Sequence, residues 1–187
     1  SACSTHSFER KLTKYLKGKI YIEKFLSDKG LLYSTYKIAW SFYHLGKVDR
    51  ALHFLKKYIA ITKRRYKDKN NKNKLLDSGR VLRDEVLVES TLFFLKGYEE
   101  KLPRYSIQRA IPFFREMAFG TGGGAILGKM MVRFAKLIRA HNHQKALNIF
   151  KNEGGQKYNI EDYGDVVSWG YGTPSEQTLV EIAETFA

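Results

Sequence analysis

The stretch Tyr36-Lys-Ile-Ala-Trp-Ser-Phe-Tyr-His-Leu-Gly-Lys-Val-Asp-Arg-Ala-Leu-His-Phe-Leu-Lys-Lys-Tyr-Ile59 decides the fold class. Ile38, Ala39, Phe42 and Tyr43 recur at helical spacing, and Ala51, Leu52, Leu55, Tyr58 and Ile59 do so again further on. Gly46 separates the two runs, where a left-handed backbone favours glycine. Asp49 is placed to cap the second run. The pattern predicts two amphipathic helices joined by one tight turn. Small Ala39 and Ala51 let the two backbones approach closely.

Working outward, other apolar runs follow the same period. Residues 6–27 predict an opening helix, broken at Ser27-Asp28-Lys29-Gly30. Helices are expected at about 31–44 and 48–66. Residues 63–74 are basic and nearly free of apolar side chains, which predicts an exposed insertion or a frayed helix end. Leu75–Tyr98 is a strongly apolar helix, ended by Gly97 and Pro103. Tyr105–Phe119 predicts another, with Ser106 as cap and Pro112 kinking it or shifting its start. A glycine-rich turn at Gly120–Gly124 leads to a helix over 125–140. The turn His141-Asn142-His143 leads to a helix over Gln144–Lys151. Residues 152–173 read as a structured loop, and Pro174 opens a last helix.

Ala51, Ala110 and Ala146 occupy similar places in successive second helices. Superimposing the turns pairs Phe42 with Leu137 and Ala39 with Phe134, so the later unit lacks the small first-helix residue. Both terminal helices look unpaired, as in a piece of a longer array.

Ala39, Phe42, Gly46, Ala51, Leu55 and Tyr58 together resemble a tetratricopeptide repeat (TPR), a helix-turn-helix unit that stacks into solenoids. The pattern departs from the family at Ile38-Ala39, which often reads Leu-Gly, and lacks a closing proline. The resemblance implies an all-α, right-handed α-solenoid of about three degenerate TPR-like units and a protein-binding role without catalysis. Blocks such as Val81–Phe94 and Phe113–Gly124 also resemble segments of long bacterial envelope proteins with tandem repeats, which implies a scaffold in an envelope, motility or secretion assembly. In this family the first helices line a concave groove. That implies Lys37, Trp40, Ser41 and His44, with Lys129, Arg133 and Lys136 in the later unit, as partner-binding residues.

The charge fits an acidic partner. The net charge is +14, and it is uneven: about +19 over residues 1–150 and about −5 over 151–187. Such a field attracts nucleic acid, an anionic surface or an acidic protein. The alternative to a protein partner is an RNA or DNA backbone held by Lys63, Arg64, Arg65, Lys67 and Lys69. With Tyr66 as the segment's single aromatic, a base-stacking platform is thin. No run of about 18 apolar residues occurs, so no transmembrane segment is expected. Cys3 is the single cysteine. It places the chain in the periplasm or envelope if it is a lipoprotein cysteine, and in the cytoplasm otherwise.

Signals for chemistry are weak. Gly123-Gly-Ala-Ile-Leu-Gly128-Lys129-Met130 is close to a phosphate-binding P-loop, but Met130 stands where a magnesium-binding Ser or Thr is needed and no strand precedes it. His141 and His143 could chelate a metal only if other ligands converged, and no recognised spacing supplies them. They read as a solvated turn, with no metal site expected. Asp84-Glu85 with Glu89, and Glu99-Glu100, could be paired carboxylates for acid–base work, but Glu85 and Glu89 lie one helical turn apart on a face expected to be exposed, with Arg80 and Arg83 near enough for ion pairs. Neither cofactor nor enzymatic activity is expected.

Overall fold

The computed structural model describes residues 28–71, 74–119 and 126–157. They form six α-helices and no strand: α1 (Asp28–His44), α2 (Val48–Arg65), α3 (Asp77–Glu99), α4 (Ala110–Phe119), α5 (Leu127–Ala140) and α6 (Gln144–Lys157). The all-α expectation therefore holds for these residues. The expected opening helix, glycine-rich turn, last helix and most of the 152–173 loop lie outside them. Several boundaries shift. Asp28–Gly30 belong to α1 instead of breaking a helix, and α6 runs through residues 152–157, expected as loop.

Taken in chain order the helices make three consecutive pairs, and the first helix of each ends in the same backbone device. After α1, the Lys47 N–H donates to Phe42 O at 2.9 Å and the Gly46 N–H to Tyr43 O at 3.0 Å. After α3, Leu102 donates to Gly97 O at 3.0 Å and Lys101 to Tyr98 O at 2.9 Å. After α5, His143 donates to Ile138 O and Asn142 to Arg139 O, both at 3.0 Å. Each is a Schellman motif, which satisfies the carbonyls a helix end leaves open. Its central residue must be left-handed, and Gly46, Lys101 and Asn142 have φ of 70°, 56° and 59°.

These bonds fix the register between the pairs. Phe42 corresponds to Gly97 and Ile138, and Ala39 to Phe94 and Ala135. The turn superposition from sequence was one residue out, so the third pair does hold a small residue on its first helix: Ala135 is buried like Ala39. Ala51 corresponds to Leu147, one residue beyond Ala146. At Gly97 the second pair departs from its neighbours. A Cβ there would lie 2.4 Å from Cγ of Tyr105. The Tyr105 ring approaches the helix where Gly97 has no side chain. Gly97 is therefore an interior residue of α3 that admits a ring, not the helix terminator expected.

Tyr105 ends the first of two short 3-10 turns, Pro103–Tyr105 and Ile107–Arg109, which precede α4. Pro112 falls in the first turn of α4, where its missing N–H costs no helical bond. It shifts the start, one of the two expected effects. Ser106 makes no side-chain cap bond. Asp49 is not a cap either: Lys47 holds that position, and Asp49, inside the first turn of α2, accepts a short hydrogen bond from the Tyr105 hydroxyl. Burial, reinforced by that carboxylate, pushes the Tyr105 phenol well above its usual range.

Side chains weld the pairs together. Trp40 and Tyr43 of α1 meet Phe93 of α3 with ring centroids 5.1 and 4.8 Å apart. Phe94, Phe114, Phe134 and Phe150 link α3, α4, α5 and α6 through contacts of 5.0 to 5.6 Å. All four are fully buried. Such pairs add about 0.5–1.5 kcal/mol each beyond area burial. Lys56 of α2 and Glu116 of α4, both exposed, form an ion pair at 3.0 Å.

Candidate binding face

The three-fold turn register carries the candidate residues onto equivalent positions of α1, α3 and α5. Lys37 corresponds to Leu92 and Arg133, and Tyr33 to Val88 and Lys129. Lys37, Tyr33, Lys129 and Arg133 are exposed, whereas Val88 and Leu92 are half-buried. The middle helix thus supplies apolar side chains at positions where the outer two carry cations. On α5, Lys129, Arg133 and Lys136 follow at steps of four and three, which puts them on one exposed stripe. The Lys37 ammonium lies over the Tyr33 ring at 5.5 Å from its centroid.

The other expected residues divide. His44 is exposed. Ser41 donates to Lys37 O at 2.8 Å, which turns its hydroxyl back onto its own helix. Trp40 is half-buried and meets Tyr36, Tyr43, His44 and Phe93. Its ring therefore packs between α1 and α3, the inter-unit role a tryptophan at this position can also serve.

The basic segment is ordered at both ends. Lys63, Arg64 and Arg65 form the last turn of α2, closed by the Tyr66 N–H donating to Thr62 O at 2.9 Å. Lys67 pairs with Leu75 in an isolated antiparallel bridge. Asp68 Oδ1 accepts from the N–H groups of Asn70 and Asn71 at 2.8 and 3.3 Å, an Asx-type turn. Tyr66 lies against Gly79 of α3, where a Cβ would meet Tyr66 Cβ at 2.3 Å. Arg64, Arg65, Lys67 and Lys69 are exposed, while Lys63 is half-buried. Burial, then the Arg83 charge, push the Lys63 ammonium below its usual range.

Two open cavities flank the helices. One, of about 530 Å³ between α2 and the start of α4, is lined by His53, Lys56, Arg104 and Arg109 with Asp49 and Glu116. Both of these carboxylates already have partners, in Tyr105 and Lys56. The other, of about 400 Å³ between α1, α2 and α3, is lined by Tyr33, Tyr36, Tyr58 and Tyr66 with Glu85 and Glu89. Glu89 is not on an exposed face as expected. It is half-buried, and its Oε1 accepts from the Tyr36 hydroxyl at 2.9 Å. Its Oε2 is buried with no protein partner among the described residues. Burial raises the Glu89 carboxyl, against the Tyr36 bond that favours the charged form. Arg80 pairs with Asp77 at 3.1 Å and Arg83 with Asp84 at 2.7 Å, so neither expected arginine pairing goes to Glu85 or Glu89 in these bonds.

The histidine turn holds a contact missed in the sequence. Glu99, the last residue of α3, accepts from or shares a proton with both imidazoles. Its Oε1 lies 2.6 Å from His141 Nδ1 and 3.0 Å from His143 Nε2. Reading Gly97 as a terminator hid this, because it took Glu99 off the helix that carries it. The usable signal is that Glu99 and His143 both flank Schellman turns of successive pairs.

Before Lys129, the P-loop-like stretch follows helix α4 instead of a strand. No described helix is long and apolar enough to cross a membrane. Compared with models of known families, with curated proteins and with solved structures, the chain matches none.

Proposed function

We propose that this chain is a non-catalytic TPR-like scaffold module, its helix pairs stacked as a right-handed solenoid, that binds an acidic protein segment on the face of its first helices. The observation that carries the reading is the shared register: Lys37, Lys129 and Arg133 flank Val88 and Leu92 at equivalent positions of α1, α5 and α3. An extended peptide with carboxylates at its ends and an apolar residue between them complements that arrangement. The ions contribute specificity and association rate, while the apolar contact supplies desolvated area. The TPR resemblance points to the same face and to an envelope, motility or secretion assembly.

A second reading is an RNA or DNA backbone on Lys63, Arg64, Arg65, Lys67 and Lys69. What favours it is the run of exposed cations Arg64, Arg65, Lys67 and Lys69 at the end of α2 and in the turn after it. A nuclease-treated pull-down separates the two. Reversing Lys37, Lys129 and Arg133 to Glu removes a protein partner under the first reading, and reversing the basic segment leaves it bound. Under the second, nuclease abolishes recovery, and affinity falls steeply with salt as counterions are released.

A further inference from the structure

From the Glu99, His141 and His143 cluster, we propose a divalent transition-metal site of the zinc class that clips the second helix pair to the third. One carboxylate oxygen and two imidazole nitrogens, from residues 42 and 44 positions apart in sequence, lie within 4.8 Å of one another. Tetrahedral zinc at ordinary bond lengths sets its ligand atoms about 3.3 Å apart. The two observed separations from Glu99, 2.6 and 3.0 Å, reach that spacing by shifts of about 0.7 and 0.3 Å, within the reach of partly exposed side chains.

The backbone already aims the ligands. Asn142, with φ of 59°, reverses the chain between the two histidines, and their ring centroids lie 6.3 Å apart. The Tyr98 ring meets His143 edge-on at 5.5 Å, which limits its rotation. The three side chains retain 30–38% exposure, so an ion has a path in. Two imidazoles select against calcium and magnesium, which prefer all-oxygen sets. At the first junction the corresponding positions are His44, Glu100 and Leu102, so the site belongs to the second junction alone. Three protein ligands leave one position for water or a partner's donor group.

The test is zinc chloride added to the tag-free chain, read by calorimetry and thermal unfolding. One saturable equivalent is expected, with Tm raised by about 5–10 °C at a hundredfold excess over Kd. Cobalt(II) in its place should give the visible bands of a tetrahedral site. His143→Ala and Glu99→Gln should each weaken binding by more than about a hundredfold, beyond the roughly 10–100-fold that loss of an outer-shell contact usually costs. If His143→Ala fails to fold, His141→Ala at the more exposed ligand takes its place. Absence of saturable uptake by the wild-type chain overturns the proposal. So does unchanged affinity in the folded variants, which would place the metal on other ligands.

Discussion

The first and second helix pairs turn through the same hydrogen bonds yet fill the space beside the turn from opposite directions. In the first, Phe42 on α1 is itself a fully buried core side chain. In the second, the corresponding residue is Gly97, and Tyr105 enters from the next segment to cover it. The turn bonds are thus kept while the side chains beside them exchange roles. The ring comes from the helix itself in the first case and from the segment after the turn in the second.

The largest effect is expected where the second solution leaves no slack. Gly97→Val drives a side chain into the Tyr105 ring and should destabilise by about 3 kcal/mol, the upper end of overpacking. Chemical denaturation of the full chain measures it. Pairing the change with Tyr105→Ser should recover part of the loss, a coupling that distant residues do not show. Additive losses would break the comparison.

Next comes the shared turn itself. Gly46→Val forces a β-branched residue to φ of 70° and should cost about 2 kcal/mol. Lys101→Gly runs the other way: it relieves the same strain at φ of 56° and should raise stability by up to about 1 kcal/mol. Opposite signs in thermal unfolding would sharpen the equivalence of the two turns. A loss at both sites would separate them.

The smallest effect concerns the junction between these pairs. Because the folded carboxyl of Glu89 titrates above its unfolded range, its ionised form opposes folding. That cost is absent below the unfolded pKa and grows as pH rises through the folded one. Glu89→Gln keeps an acceptor for Tyr36 and should raise Tm by a few degrees at pH 7. At about pH 3 the gain should vanish. A pH-independent gain would assign it to packing.

The helices were legible because burial follows their period: Ile38, Phe42, Leu55 and Ile59 are all buried as the pattern implied. The Gly46 turn was equally plain, since glycine advertises a left-handed residue. Lys101 gave no such signal, and its turn went unread with Pro103 taken as a stop. The candidate face was readable as charge along α5, but its apolar middle was not, because Val88 and Leu92 look like any core positions of α3. Glu99 joined the histidines only through the stacking of two pairs, which no local spacing encodes.

The central claim is that the first-helix face binds an acidic segment with an apolar centre. Its most direct test is selection of a random peptide library on the full chain, followed by titration of the enriched peptides onto the Lys37, Lys129 and Arg133→Glu variant. Enriched peptides should combine Asp or Glu with a central apolar residue and lose at least about tenfold in affinity on the variant, the equivalent of about 1.4 kcal/mol. Peptides without acidic residues, or binding that survives the charge reversal, would contradict it.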